Sequence, residues 1–445
     1  MAIEKILITE EERKNIFPYK TYIIYIFLII KILEAYINFR QYKRLKENRP
    51  IPKELISLGL DESKHEESKK YSSAKIKFKI IFDSFKTIIS ILFIYFNFYP
   101  FQYLISQKLC TFFPLIKFNP ENEYGPLFWY IFFELLFEEM IELPFELYLT
   151  FVLEEKYGFN KMTLKTFIQD QFKTFLLFLI FMPIIISLLV YIIIRTGKYF
   201  YYFTEIAGII LLLIFMWVYP NFIQPLFNTF KELEEGELKK GIFALAKRVN
   251  YPLTKIYEMD ESKRSAHSNA YLFGFWKNKR IVLFDTLIKN LENKEIESCL
   301  AHELGHWSNW HSLILLFIAF TNFFILFYLL QFFINETAIF VSFGFEQKSV
   351  FIGLYLFFQI YSPFTFFINI LQNSIVRRLE YQADKYAYEL GYGDIIIKAL
   401  SKLSERNKSG LDADPLYSLV NNSHPILIER IRAINKYKDE NKKEN

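Results

Sequence analysis

His302-Glu303-Leu304-Gly305-His306-Trp307-Ser308-Asn309-Trp310-His311 leads straight into an apolar run over 312–334, and this junction decides how the chain is read. Residues four apart share a helix face, so His302 and His306 can aim both imidazoles at a single point. Zinc takes neutral imidazole readily and prefers a tetrahedral shell. Glu303 lies about 100° round the helix from His302, where it can reach a water activated by such a metal without ligating the metal itself. A carboxylate there accepts the water's proton while the metal lowers its pKa, which is the chemistry of a metalloprotease. The run that follows is long enough to cross a bilayer, so the motif sits at a membrane boundary.

Working outward, the 445 residues are 52% hydrophobic and 19% aromatic, with 51 Phe and 30 Tyr. That is too apolar for an ordinary soluble enzyme, and the apolar residues come in blocks. Seven blocks approach or exceed the ~20 residues needed to span a membrane: 17–36, 80–100, 126–151, 174–194, 202–219, 312–334 and 350–371. Glu134, Glu138, Glu139, Glu142 and Glu146 interrupt the third. Intramembrane carboxylates are costly unless they face a wet cavity or a partner. Either the interior holds water, or this stretch is partly interfacial. The expected fold is a mainly α, polytopic membrane protein of about seven transmembrane helices with an α+β metalloprotease unit. Residues 1–219 would carry spans one to five, 220–311 the unit with the zinc motif, 312–372 spans six and seven, and 373–445 the rest of that unit and a tail.

Loop charge sets the orientation. Segment 40–79 is crowded with Arg40, Lys43, Arg44, Lys46, Arg49 and Lys53, whereas the loop after the second span carries only Lys108 and Lys117. The positive-inside rule puts 40–79 in the cytosol and the N-terminus on the far side. Counted forward, 220–311 and the tail are cytosolic. The first span is long and lacks a small-residue cleavage site, so it reads as an anchor rather than a signal peptide. Cys110 and Cys299 cannot make a disulfide framework. The net charge of +5 belongs mostly to the first cytosolic loop and the tail; it sets topology and can touch anionic lipid. Nothing resembles a nucleic-acid-binding module.

Segment 46–75, with Pro50, Pro52 and alternating acids and bases, reads as a mobile loop or short helices. Residues 232–250 have helical spacing, while 255–259, 270–275 and 280–284 read as short strands, with 276–279 as a turn. Helical spacing over 295–311 places the zinc motif on a helix that runs on into the sixth span. Residues 374–390 again look helical and stop at Gly391.

Two histidines leave at least one ligand to find. Glu380 and Asp384 lie four apart on the helix after the seventh span, hence on one face. Glu380 would complete a two-histidine, one-glutamate shell with a fourth position open to water. Asp384 would accept the second N–H of a ligating imidazole. The same pair could instead form an exposed face paired with Arg377, Arg378 or Lys385, and spacing alone leaves both readings open. His424, before Pro425, is either helix-start furniture or a donor to a tetrahedral oxyanion. Arg430 could support it or bind a substrate carboxylate. His65, His267 and His311 read as structural or solvated.

At this point the chain resembles the type I CAAX prenyl endopeptidases, integral-membrane zinc metalloproteases. The resemblance rests on His302-Glu303-Leu304-Gly305-His306-Trp307, Glu380-Tyr381-Gln382-Ala383-Asp384, and Asn422-Ser423-His424-Pro425 with Glu429-Arg430. Ser265-Ala266-His267-Ser268-Asn269-Ala270-Tyr271 leading to Lys279-Arg280-Ile281-Val282-Leu283-Phe284-Asp285 adds to it, as do Leu143-Pro144-Phe145, the run from Glu154 to Asn160, and Pro225-Leu226-Phe227-Asn228. It implies seven helices enclosing an intramembrane chamber, capped on the cytosolic side by the zinc domain. It also implies one Zn²⁺ on His302, His306 and Glu380, with Glu303 as general base. Asn269 on an edge strand would hold the substrate backbone, with His424 and Arg430 assisting. Removal of the C-terminal tripeptide from prenylated CAAX proteins follows, with a second upstream cleavage possible by likeness alone. So does residence in the endoplasmic reticulum membrane, and in the inner nuclear membrane as a further site. Lys442-Lys443-Glu444-Asn445 has the spacing of a retrieval signal. Ile426 departs from the family, which usually has a second proline there. Two rivals stand beside this reading: a quality-control membrane protease without a prenyl requirement, and a seven-helix channel, transporter or receptor with incidental histidines.

Overall fold

The computed structural model describes residues 6–444 apart from 15, 48, 60, 113–122, 276 and 277. A short strand, β1 (Ile6–Leu7), precedes the membrane helix α1 (Tyr19–Lys46). One turn, α2 (Lys53–Ile56), leads to α3 (Glu62–Tyr95), which bends by 69° into α4 (Phe98–Phe112). Asn97 takes the left-handed conformation at that bend (φ +55°), which asparagine tolerates better than most residues. Then come α5 (Tyr124–Tyr148), α6 (Leu164–Thr196) and α7 (Phe200–Val218).

The segment read as a mobile loop or short helices over 46–75 holds the short helix α2 and is continuously helical from Glu62 onward. Asp61 caps that helix by accepting from the Lys64 backbone N–H at 2.8 Å, replacing one of the bonds a helix start lacks. The alternating charges sit on its solvent side, while His65, Ser68 and Tyr71 are buried. Ion pairs tie the end of α1 to the C-terminal unit: Arg40 to Asp414 at 2.9 Å and Arg44 to Asp412 at 2.7 Å.

The second half begins with β2 (Phe230–Glu232), α8 (Glu237–Arg248), β3 (Leu253–Met259), β4 (Ala270–Phe275) and β5 (Asn278–Phe284). Then follow α9 (Asp285–Asn290), α10 (Asn293–Ser308) and α11 (His311–Phe333). The chain continues through α12 (Thr337–Ser342), β6 (Gln347–Lys348), α13 (Val350–Tyr361), α14 (Thr365–Ala387), α15 (Gly393–Arg406), α16 (Pro415–Asn421) and α17 (Leu427–Glu444). The final Asn445 of the lysine-bearing tail, and the turn residues Trp276 and Lys277, lie outside the described residues.

By length and composition, four stretches could cross a bilayer, or five if the bent α3–α4 pair is one span. The stretch over 164–226 holds both α6 and α7, which pack on each other across the turn at Gly197. Its carboxylates keep α5 out of that apolar class. With α5 added and α6 and α7 counted singly, the described residues contain the seven passes expected. Four of the five intrusive carboxylates are partnered, Glu138 by Lys86 at 3.8 Å. Glu134 accepts from Gln102 at 3.2 Å and from Tyr355 at 3.0 Å, Glu142 pairs with Lys86, and Glu146 with Gln171. Lys86, Lys31, Glu34, Asp83 and Asn369 line one cavity of about 370 Å³ between α1, α3 and α14. Charged groups of α1 and α3 thus share one cavity, which none of the α5 carboxylates lines.

The sheet has the order β2-β3-β5-β4, with β3 parallel to β5 and β4 antiparallel to it. Ile281, Val282 and Leu283 of β5 are fully buried, as befits a central strand. Ile242 and Leu245 of α8, Ile296 and Leu300 of α10, Ile396 of α15 and Ile431 of α17 close one core over it. Each such side chain contributes roughly 1.5–3 kcal/mol by burial. That core holds α10 against the sheet and leaves β4 as an edge.

Candidate active site

The zinc-motif helix does not run on into the next span. It ends at Ser308, and Trp310 adopts φ +59° before α11 begins at His311. A bulky residue in that left-handed region is uncommon, and the turn it makes folds His311 back towards His306.

Opposite α10 lies α14, and the two meet at Gly305. A Cβ there would lie 3.0 Å from the Ala383 Cα and 3.1 Å from its carbonyl oxygen. The glycine therefore removes the one side chain that would hold the helices apart. His302 and His306 come to face Glu380 across this contact. The two Nε2 atoms are 3.2 Å apart, His302 Nε2 is 3.5 Å from Glu380 Oε2, and His306 Nε2 is 3.2 Å from Glu380 Oε1. All three ligand atoms fall within 4.8 Å of one another.

These residues fit a metal. Separations of this size are the edges of a tetrahedron with bonds of about 2.0–2.2 Å, as zinc makes with imidazole and carboxylate. Glu380 is 3% exposed, and its Oε2 has no hydrogen-bond partner. His424 Nδ1 approaches that oxygen to 2.9 Å without hydrogen-bond alignment. A buried carboxylate oxygen left so would be costly unless a cation completed it. The ionisation of His302 agrees. Burial and the Arg430 guanidinium press it down, yet the Asp384 and Glu380 carboxylates outweigh them and lift it from 6.5 to about 9.

Around this cluster, His302 Nδ1 lies 2.9 Å from Asp384 Oδ1. Asp384 is wholly buried and accepts from Arg430 twice, from Nε at 2.8 Å and from Nη2 at 2.5 Å. Arg430 is 12% exposed on its side chain, with Nη2 3.2 Å from His302 Nδ1. Its guanidinium therefore lies behind the cluster rather than on the open side where a substrate carboxylate would arrive. His424, 65% exposed on its side chain, does occupy the open side. Glu303 is half-buried and has no hydrogen bond or ion pair among the described residues. Asn269 is exposed at the start of β4; its carbonyl accepts from the Phe284 N–H at 3.1 Å. Among the described residues the outer edge of β4 has no strand partner, and the strand packs beside α10. Ile426, in the departure from the family pattern, uses the N–H that a proline would lack: it donates to Glu429 at 3.2 Å at the start of α17.

His311 is the residue that sequence reasoning missed. It is 1% exposed, with Nδ1 2.9 Å from His306 Nδ1 and Nε2 3.0 Å from Gln382 Oε1. On an unbroken helix it would lie about 140° round from His306, so only the turn at Trp310 makes the contact. His267 stays apart, stacked on Phe159 at 4.2 Å.

Comparison with known proteins covers nearly the whole chain. The family model for "CAAX prenyl protease N-terminal, five membrane helices" matches residues 41–229, and that for "Peptidase family M48" matches residues 232–438. The CAAX prenyl protease 1 homolog of Arabidopsis thaliana is 36% identical over 425 residues, covering 94% of this chain and 97% of the relative. CAAX prenyl protease 1 of Saccharomyces cerevisiae is 34% identical, covering 92% and 93%. The crystal structure of S. mikatae Ste24p superposes with a TM-score of 0.88 at 33% identity, covering 94% of this chain and 99% of that one. The chain is a polytopic membrane metallopeptidase of the M48 family and belongs to its CAAX prenyl protease branch.

Proposed function

We propose that this protein is a zinc endopeptidase that removes the C-terminal tripeptide from prenylated CAAX sequences. One observation carries the reading: His302, His306 and Glu380 converge, within 4.8 Å, at a helix, α10, that packs beside the edge strand β4 in a chain with membrane-spanning helices. His302, His306 and Glu380 hold the metal. Held there, zinc would supply a Lewis acid for the scissile carbonyl and would lower the pKa of a nearby water. Glu303 takes the attacking water's proton and passes it to the leaving amine. His424, on the open side, donates to the oxygen that becomes negatively charged. Asp384 fixes the His302 ring, and Arg430 neutralises and holds Asp384. The substrate backbone adds to the outer edge of β4 from Asn269 onward. The prenyl chain partitions into the bundle or bilayer, where each buried CH₂ contributes about 0.8 kcal/mol.

The basic end of α1 and the lysines in the first half of α3 support a cytosol-facing active site, and the lysine-bearing tail fits retention in the endoplasmic reticulum. The test compares a farnesylated CAAX peptide with its unprenylated twin, using purified protein with and without a chelator. Zinc-dependent tripeptide release that favours the farnesylated peptide is expected. Equal rates on the two peptides would favour a general quality-control protease instead.

A further inference from the structure

We infer that His311 is a positioning residue for the metal site, fixing the tautomer and plane of His306 through a neutral relay that ends on Gln382. The inference rests on the zinc reading above and concerns how one ligand is held.

The proton count leaves a single arrangement. A neutral imidazole that offers Nε2 to a cation carries its hydrogen on Nδ1. For His306 that N–H faces His311 Nδ1 at 2.9 Å, so His311 Nδ1 must be the bare acceptor. Neutral His311 then carries its own hydrogen on Nε2, which faces Gln382 Oε1 at 3.0 Å. The amide oxygen accepts it. Three side chains from three helices thus agree on one set of protons, and that set leaves the His306 lone pair pointing at His302 and Glu380.

Two further features set this contact apart from incidental packing. His311 is 1% exposed, so a wrong tautomer would bury an unmatched N–H or lone pair. It reaches His306 only because Trp310 takes the left-handed conformation at φ +59°, which a non-glycine side chain adopts only under strain. The two ligating imidazoles are therefore supported differently. His302 leans on a charged pair, Asp384 with Arg430, whereas His306 leans on uncharged groups. The second support orients the ring without adding fixed charge to the site.

The test uses the full-length protein in detergent, with zinc affinity by competition and zinc release followed with a chromogenic chelator. His311→Leu removes the acceptor and is expected to weaken zinc binding about 10–100-fold and speed release. His311→Gln supplies a carbonyl acceptor and should recover most of that loss. Gln382→Leu breaks the far end on the exposed side of α14 and should give a smaller loss in the same direction. In zinc-saturated His311→Leu, KM for a farnesylated peptide should hold while kcat falls. Thermal unfolding of the zinc-stripped proteins reports folding; if His311→Leu does not fold, His311→Gln and Gln382→Leu still decide. Zinc affinity and release in His311→Leu equal to wild type would overturn the inference. So would a His311→Gln protein as impaired as His311→Leu, because size rather than an acceptor would then be what matters. Wild-type protein that takes up no zinc would overturn the metal reading and this one together, an outcome distinct from both.

Discussion

Gly305 on α10 lies directly against the backbone of Ala383 on α14, so close that a methyl group at 305 would come within 3.0 Å of the Ala383 Cα. This contact sets the distance between the helix bearing two ligands and the helix bearing the third. Gly305→Ala is expected to destabilise the protein by about 1–3 kcal/mol through overpacking and to weaken zinc binding by moving Glu380 outward. Thermal unfolding and a zinc titration of the variant check this. Unchanged values in both would mean that the helices can separate without disturbing the site.

Arg430 and Asp384 form a buried ion pair joined by two hydrogen bonds. Removing one partner strands the other charge, which typically costs 3–5 kcal/mol, so Arg430→Met should lose about that much stability. Arg430→Lys keeps the charge but loses the two-pronged geometry, and should fall between Met and wild type in zinc affinity. If instead Arg430→Met folds normally, binds zinc and shows only a raised KM, Arg430 contacts substrate.

His302 gives the pH dependence. In metal-free protein its folded value is raised from 6.5 to about 9. A raised value means that the proton stabilises the folded state. That contribution is fully present below about 6.5 and is lost as pH climbs through 9. Chelated protein should therefore melt at progressively lower temperature between those limits, while zinc-loaded protein should not follow. Zinc must displace the same proton, so its apparent affinity should rise across this window. A pH-independent difference between the two forms would contradict the assignment.

Glu303 has no partner among the described residues and is not needed to hold the site together. Glu303→Gln should keep stoichiometric zinc and wild-type stability while slowing tripeptide release ~10²–10⁴-fold or more. Retained turnover would remove Glu303 from its role as general base.

Much of this was legible in the sequence because the signals are local. Two histidines four apart and apolar blocks of spanning length need no tertiary information. The parts that were not legible depend on contacts between distant segments. Nothing local separates Glu380 from an exposed carboxylate beside Arg377 and Arg378; burial against α10 does that. Phe230-Lys231-Glu232 is too short and too charged to read as a strand, and forms one by pairing with Tyr257 to Met259. The start of α3 resembled a loop because its charges alternate, and it is a helix because Asp61 caps it and α1 packs along it. The place of His311 was hidden by a tryptophan in a conformation that propensity argues against. Continuous helical spacing, read at face value, pointed that histidine the wrong way.

The most direct test is anomalous diffraction at the zinc edge from crystals of the purified protein. The account predicts a single strong peak about 2.0–2.2 Å from His302 Nε2, His306 Nε2 and a Glu380 carboxylate oxygen, with Asp384 and His311 outside bonding distance. A peak elsewhere in the molecule, or a zinc held by the two histidines with Glu380 turned away, would contradict it.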